Sequence, residues 1–221
     1  VHGHIGSTAS IYLSIAKKYG LYTIAHSHNT DGKQTLKNYL YKLLSYNTRN
    51  TADSFFACSY VAGVDRYGKH IVDNSSKFTI LKNAIDTEQF IFNTDFRSEI
   101  RNEFNIAEDK IVIGHIGRFN IQKNHKFLAD IAYETIKKND NVVFIFVGDG
   151  DLKEDIENKI NSLGIRKNVI FTGVRSDVNK FYQAFDLFLF PSFFEGLPVT
   201  LVEAQASGLK CLVSDRITNE V

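Results

Sequence analysis

Two carboxylates, Glu195 and Glu203, are separated by seven intervening residues in the stretch Phe193-Phe194-Glu195-Gly196-Leu197-Pro198-Val199-Thr200-Leu201-Val202-Glu203-Ala204-Gln205-Ala206-Ser207-Gly208, which reads as a strand-end loop opening a short helix. Pro198 suits the first helical position, where its missing N–H costs nothing, and Gly208 suits the residue just past the end. The free amides and the dipole at such a helix start attract an anion. Glu203 leans back toward the same spot, as helical side chains do. A carboxylate there repels phosphate and accepts hydrogen bonds from sugar hydroxyls, so the stretch suits a phosphorylated sugar or a nucleotide. A surface helix with solvated glutamates is the plain alternative.

Cations stand earlier in the chain. In Gly117-Arg118-Phe119-Asn120-Ile121-Gln122-Lys123-Asn124, a glycine lets the backbone turn after a strand, Arg118 can grip phosphate oxygens as a fork, and Lys123 can act as a point charge. Two cations neutralise a diphosphate without a metal; taken alone they are ordinary solvated side chains. His26-Ser27-His28-Asn29-Thr30 is a polar cluster at another strand's carboxyl end, the edge where open parallel sheets bind ligands. There His26 is either functional or a structural hydrogen-bonder. Gly148-Asp149-Gly150-Asp151 lacks both the dinucleotide spacing and the P-loop lysine, so Asp151 reads as a helix cap and Asp149 as a turn residue rather than a metal pair. Phe171-Thr172-Gly173-Val174-Arg175-Ser176-Asp177 ends a strand with a cap expected at Ser176, and its exposed backbone suits the edge of a flat heterocycle or a plain tight turn.

The elements that must hold these residues alternate. Residues 8 to 18 read as a helix, Tyr22 to His26 as a strand, 35 to 50 as an amphipathic helix with Leu36, Tyr39, Leu40, Leu43 and Leu44 on one face, Ser54 to Cys58 as a strand, Tyr60 to Tyr67 as a helix and Lys77 to Leu81 as a strand. Apolar periodicity lapses between Asn83 and Ile100, which predicts a connection with the domain boundary near residue 95, hence domains 1–95 and 96–221. Beyond it, strands are expected at Ile111 to Ile116, Val142 to Val147, Val169 to Thr172, Asp186 to Phe190 and Lys210 to Val213, with helices at His125 to Lys137, Leu152 to Leu163, Asp177 to Ala184 and Val199 to Ser207. Such alternation implies a parallel sheet covered on both faces, a Rossmann-like domain. The unbroken apolar runs Val142–Val147 and Leu187–Phe190 suit strands buried on both sides.

Composition narrows the classes. The 221 residues are 43% hydrophobic and 23% charged with a net charge of +1, an ordinary globular balance without the basic stripe of a nucleic-acid binder. Cys58 and Cys211 lack metal-ligand spacing and read as buried thiols in a reducing compartment. No apolar run approaches the ~18 residues of a membrane span and no secretory signal opens the chain, so a cytoplasmic protein is expected. The chain starts at Val1, has no methionine and stops at Val221 after a strand-like segment, and is read as an internal piece of a longer protein or one whose ends were trimmed.

The succession GRFNIQKN, FVGDGDL, FTGVRSDV and DLFLFPSFFEGLPVTLVEAQASG resembles the C-terminal domain of retaining, nucleotide-sugar-dependent glycosyltransferases of family four, which have two Rossmann-like domains in the B-type glycosyltransferase fold. AHSHNT, FFACSYVAG and LKNAIDTEQF resemble the end of that family's N-terminal domain and its connection, most closely in bacterial capsule and exopolysaccharide enzymes.

The resemblance implies that Arg118 and Lys123, beside Gly117, hold the donor diphosphate and that Glu203 bonds the ribose hydroxyls. Glu195, with the amides of Gly196 and Leu197, would hold the transferred sugar; His26 would face that sugar, with His28 a weaker candidate, and Val174 and Arg175 would lie near the base. The implied reaction moves a hexose from a nucleoside-diphosphate sugar to a glycan or lipid-linked acceptor with retention, through stabilisation of the leaving diphosphate and without a metal or other cofactor. The donor is expected to be a UDP-sugar, although guanosine and adenosine donors occur in such enzymes. A lipid-linked acceptor would bring the protein to the cytoplasmic face of the inner membrane. Oligomeric state is not legible. The N-terminal domain is incomplete and the C-terminal one truncated relative to the family, so an inactive nucleotide-sugar-binding module is the alternative.

Overall fold

The computed structural model describes residues 1–4, 8–30, 43, 45–217 and 219–220. It divides into two compact units, one of residues Val1–Ala84, Phe194–Leu197 and Ile217–Val221, the other of Ile85–Phe193 and Pro198–Arg216. Both are parallel α/β units, as alternation of the two element types requires.

In the first unit, strands β1 (His2–Gly3), β2 (Ile24–Ser27), β3 (Ser54–Ala57) and β4 (Phe78–Ile80) lie side by side in chain order, all parallel. Helix α1 (Ala9–Lys18) buries Ala9, Leu13 and Ala16, spaced as one helical face. Gly20, at φ 71°, breaks the chain out after it. The helix expected over 35–50, with Leu36, Tyr39, Leu40 and Leu44, falls mostly outside the described residues; α2 (Thr48–Thr51) is its described end. Helix α3 (Tyr60–Tyr67) starts at Ser59, whose hydroxyl accepts from the Ala62 amide, and α4 (Lys69–Asn74) follows at Gly68. Leu13, Ala25, Phe55, Ala57, Ala62 and Tyr67 form the core.

The second unit begins at Ile85 rather than near residue 95. The predicted connection is structured: a 3₁₀ turn (Thr87–Phe90) buries Phe90 against the ring of Tyr182, and the Asn93 amide donates to Gln183. Helix α5 (Thr94–Glu103) follows, capped by the Asn93 side chain. Its polar sequence hides a buried anchor. Arg101 is fully buried and donates to Asp186 at 2.9 Å and to the carbonyls of Ala107, Glu108 and Lys110, while Arg97 takes the other Asp186 oxygen at 2.8 Å.

The sheet of this unit comprises β5 (Ile111–Ile116), β6 (Val142–Val147), β7 (Val169–Gly173), β8 (Leu187–Phe190) and β9 (Lys210–Val213), all parallel, in the order β7-β6-β5-β8-β9. Helices α6 (His125–Lys138), α7 (Lys153–Ser162), α8 (Val178–Ala184) and α9 (Val199–Ala206) connect them. All six residues of β6 are buried, as its unalternating apolar run requires. Aromatic and histidine rings fill the core above β5: Phe119 stacks on His125 with centroids 3.9 Å apart, and His115 lies edge-on to His125 and beside Phe190. The Nδ1–H of fully buried His115 donates to the Leu189 carbonyl at 2.8 Å. Burial holds both imidazoles neutral, the pKa of His125 falling to about 3. Cys58 is a buried free thiol and Cys211 a half-buried one, both pushed up in pKa by burial.

Candidate functional site

Strand order reverses at β5: the chain runs outward through β6 and β7 on one side, then returns to place β8 and β9 on the other. Ligands of open parallel sheets bind outside the carboxyl ends of the strands at such a reversal. The two strands flanking it, β5 and β8, lead into the cation-bearing loop and into the stretch carrying Glu195 and Glu203.

The loop after β5 holds Gly117, Arg118 and Lys123. Arg118 is exposed and makes a loose ion pair with Asp151 at 3.6 Å, which contributes little between two exposed side chains and leaves the guanidinium easy to recruit. Lys123 is half-buried, its ammonium 4.5 Å from the Phe190 ring centroid, so this cation is held over the end of β8. Asn124, at φ 57°, turns the chain into α6 while its amide side chain donates to the Pro191 carbonyl, and the Phe193 amide donates to the Gln122 carbonyl. These bonds tie the loop after β5 to the one after β8.

The Gly-Asp-Gly turn after β6 has a backbone explanation. A Cβ on Gly148 would meet the Gly117 carbonyl oxygen at 2.2 Å, and one on Gly150 would meet Phe119 backbone atoms at 2.6 and 2.8 Å. Asp149 turns back to accept from the Gly150 amide, as expected of a turn residue. Asp151 is not a helix cap: α7 starts at Lys153 after Leu152 and has no side-chain cap, and Asp151 instead faces Arg118. Ser176 is likewise not a cap, since α8 begins at Val178.

Helix α9 starts at Val199 as expected, with Pro198 at the capping position rather than in the first helical position, and ends before Gly208 at φ 72°. Glu203 is half-buried and fixed by a residue that sequence reasoning missed. The buried Tyr182 hydroxyl lies 2.8 Å from Glu203 Oε2 and 3.0 Å from the Thr200 carbonyl, donating to these acceptors, and burial together with the Glu203 carboxylate pushes the phenol's pKa upward. One oxygen of Glu203 is thus occupied and the carboxylate is held in a set orientation. Tyr182 stands 21 residues from Glu203 on another helix. Only its place in an apolar helix repeat, Phe181-Tyr182-Ala184-Phe185, hinted at burial.

Val174 is exposed at the end of β7. Arg175 is occupied: it clamps Asp177 at 2.9 Å through Nε and Nη2, reaches both Glu103 oxygens, and covers the Phe181 ring. Its donors fasten the start of α8 to α5.

The remaining candidates belong to the first unit. Glu195, Gly196 and Leu197 are buried there, Thr30 Oγ1 donating to the Glu195 carbonyl and the Asn83 side-chain amide to the Leu197 carbonyl. A Cβ on Gly196 would meet the His28 carbonyl oxygen at 2.5 Å and Cys58 Sγ at 3.0 Å, so only glycine fits. Leu197 joins the unit's core. His26 is buried on β2, its ring 4.0 Å from that of His28 and 5.2 Å from those of both His2 and His4, two further histidines that the sequence reading did not select. Burial, then His28, lowers the His26 pKa to about 4, and burial also lowers that of His28. His28 and His4 approach at 2.7 Å, and the other nitrogen of His28 lies 3.4 Å from the Asn83 side-chain oxygen.

A hollow of about 520 Å³ opens at the amino ends of β5 and β6, the opposite end of the sheet from the cation-bearing loop; Ile111, Ile113, Phe127, Ile131 and Val142 line it together with Asp130, Glu134 and Lys138. No helix among the described residues is long and apolar enough to cross a membrane.

Known proteins resemble the chain in sequence and in fold. The chain is 34% identical over its full length to the putative glycosyltransferase EpsF of Bacillus subtilis, covering 58% of that protein. It is 31% identical over 66% of its length to the Escherichia coli UDP-Gal:alpha-D-GlcNAc-diphosphoundecaprenol alpha-1,3-galactosyltransferase, covering 39% of it. The chain therefore spans about half the length of these relatives or less. Among solved structures, Anabaena Alr3699/HepE in complex with UDP-glucose superposes with a TM-score of 0.83 over 97% of this chain and 59% of that one, at 18% identity, which identifies the B-type fold. Residues 96–220 match the family described as Glycosyl transferases group 1, and the chain belongs to that family.

Proposed function

We propose that this chain is part of a retaining hexosyltransferase, which moves a hexose from a UDP-sugar to a glycan or lipid-linked acceptor in the biosynthesis of a bacterial surface polysaccharide. The carrying observation is the Tyr182–Glu203 hydrogen bond, which holds a carboxylate at the end of the sheet where β5 presents Arg118 and Lys123. Such a set divides the work on a nucleoside-diphosphate sugar: cations for the diphosphate, an oriented acceptor for the ribose hydroxyls. The names of relatives support the donor and acceptor classes, since the Escherichia coli protein uses UDP-Gal and a diphosphoundecaprenol-linked acceptor, and a Campylobacter jejuni relative is named as a galactosaminyltransferase acting on a PP-undecaprenol glycan.

In this reading the barrier is the separation of a diphosphate anion from an oxocarbenium-like sugar. Arg118, Lys123 and the amides at the start of α9 stabilise the leaving charge. Gly117 keeps the approach to the phosphates open, while Val174 and the backbone beside Arg175 border the base. Glu195 and the amides of Gly196 and Leu197 hold the transferred sugar, His26 faces it, and no metal is needed on the diphosphate. The protein works at the cytoplasmic face of the inner membrane, where a lipid-linked acceptor resides.

The test uses the full-length protein, UDP-sugars and a chelator, with transfer and product anomer followed by chromatography and NMR. Transfer with retention, lost by at least about 100-fold in Arg118→Ala and in Glu203→Ala, is expected. Unchanged turnover in either variant overturns the site, and binding without transfer to any acceptor favours an inactive sugar-nucleotide-binding module.

A further inference from the structure

The first unit carries the pattern His-x-His twice, as His2-Gly3-His4 and His26-Ser27-His28. Alternate residues of a strand face the same side, and β1 pairs in parallel with β2 with Gly3 opposite Ala25. That register gathers four imidazoles on one face. His2 Nε2 and His26 Nδ1 stand 3.2 Å apart, and the ring nitrogens offered by His2, His4 and His26 all lie within 4.8 Å of one another. The second nitrogen of His26, Nε2, is buried without a hydrogen bond of good geometry among the described residues, the Leu81 backbone giving only a weak contact.

We propose that His2, His4 and His26 form a binding site for one divalent zinc ion, with His28 orienting His4 from behind. Imidazole nitrogen is a preferred ligand of zinc, and three histidines with a fourth position left to water is an established coordination set. Zinc–nitrogen bonds of ~2.0–2.1 Å in a tetrahedron place neighbouring nitrogens about 3.3 Å apart, close to the 3.2 Å between His2 and His26. The His4 nitrogen already lies within 4.8 Å of the other two, and its exposed side chain has room to shift toward them. The contact of His28 with His4 at 2.7 Å, and of His28 with Asn83 at 3.4 Å, supplies the outer hydrogen bonds that fix a ligand ring. The ion would tie the two-residue edge strand β1 to β2. It is distinct from any ion on a donor diphosphate and does not rest on the proposed transfer reaction, although it would occupy His26 and so inhibit a reaction that uses that ring.

Zinc titration of the chain tests this, using protein prepared without a polyhistidine tag and with a blocked amino terminus so that the Val1 amine cannot contribute. A competing chromophoric chelator and a cobalt-loaded sample provide two readouts. One equivalent per chain, visible bands of a four- or five-coordinate cobalt ion, and at least about a tenfold loss of affinity in His4→Ala and in the His2→Asn/His4→Asn double variant are expected. Both altered side chains are exposed, and matching far-UV circular dichroism of the metal-free proteins verifies the fold. Absence of binding by the unaltered chain, or equal affinity in the double variant, overturns the proposal.

Discussion

Each unit holds a cluster of histidines, with lowered pKa values for His115 and His125 in one and for His2, His26 and His28 in the other, and the two clusters differ in what surrounds them. In the second unit His115 and His125 lie inside the core among Phe119, Phe146, Phe188 and Phe190, where they pack as aromatic rings. His125 goes further, with neither ring nitrogen hydrogen-bonded among the described residues. In the first unit the imidazoles face one another, and His2 and His4 reach solvent. Burial is the leading cause of the lowered pKa in both places; what differs is the second one, Lys123 for His125 and the neighbouring imidazoles, His28 first, for His26. Among the described residues, the cluster of the first unit is the one that brings nitrogens of three imidazoles within 4.8 Å of one another.

Truncating the core cluster should have the largest effect. His115→Ala removes a fully buried ring and its bond to Leu189, so a loss of about 3–5 kcal/mol, the range for buried aromatic truncations, is expected from urea unfolding. A loss below about 1 kcal/mol would mean that this ring is not a packing element. Acid probes the same cluster. His125 binds its proton only near pH 3 when folded but near 6.5 when unfolded, so its share of stability is complete above about 6.5 and falls as pH drops toward 3. By pH 5 this amounts to about 2 kcal/mol for His125 alone. His125→Phe keeps the stacking on Phe119 and should flatten the pH dependence of the midpoint; an unchanged slope would assign the acid sensitivity elsewhere.

A residue outside both clusters calibrates them. Tyr182→Phe removes the hydroxyl from Glu203 and should weaken UDP-sugar binding about fivefold, the equivalent of ~1 kcal/mol, in calorimetric titration while both clusters stay intact. Donor affinity equal to that of the unaltered protein would show that Glu203 needs no orientation. The smallest effect is expected from His4→Ala without metal, within about 0.5 kcal/mol, because its ring is exposed. A larger loss in metal-free buffer would make the surface cluster a packing element too and erase the distinction.

What could be read without coordinates follows from how local each signal is. Val142–Val147 announces a strand buried on both faces by composition alone, and the loop after β5 announces its cations by following such a strand. The second histidine pair was missed because β1 is two residues long and its meaning lies in the register with β2, a pairing across 22 positions. The segment from Asn83 to Ile100 looked like a linker because the anchor just beyond it is an arginine; a buried Arg101 satisfied by Asp186 and three carbonyls leaves no apolar periodicity to detect. Tyr182 was not singled out, because the hydrogen bond at its tip depends on how α8 packs against α9.

The seating of Gly148 against Gly117 bears on how these loops can change. Because the two backbones touch where even a methyl group would collide, the loops after β5 and β6 form a single cassette. Recombination or grafting that imports a relative's cation loop without its glycine turn would break the seat, so these loops should be exchanged together, by evolution as by an engineer.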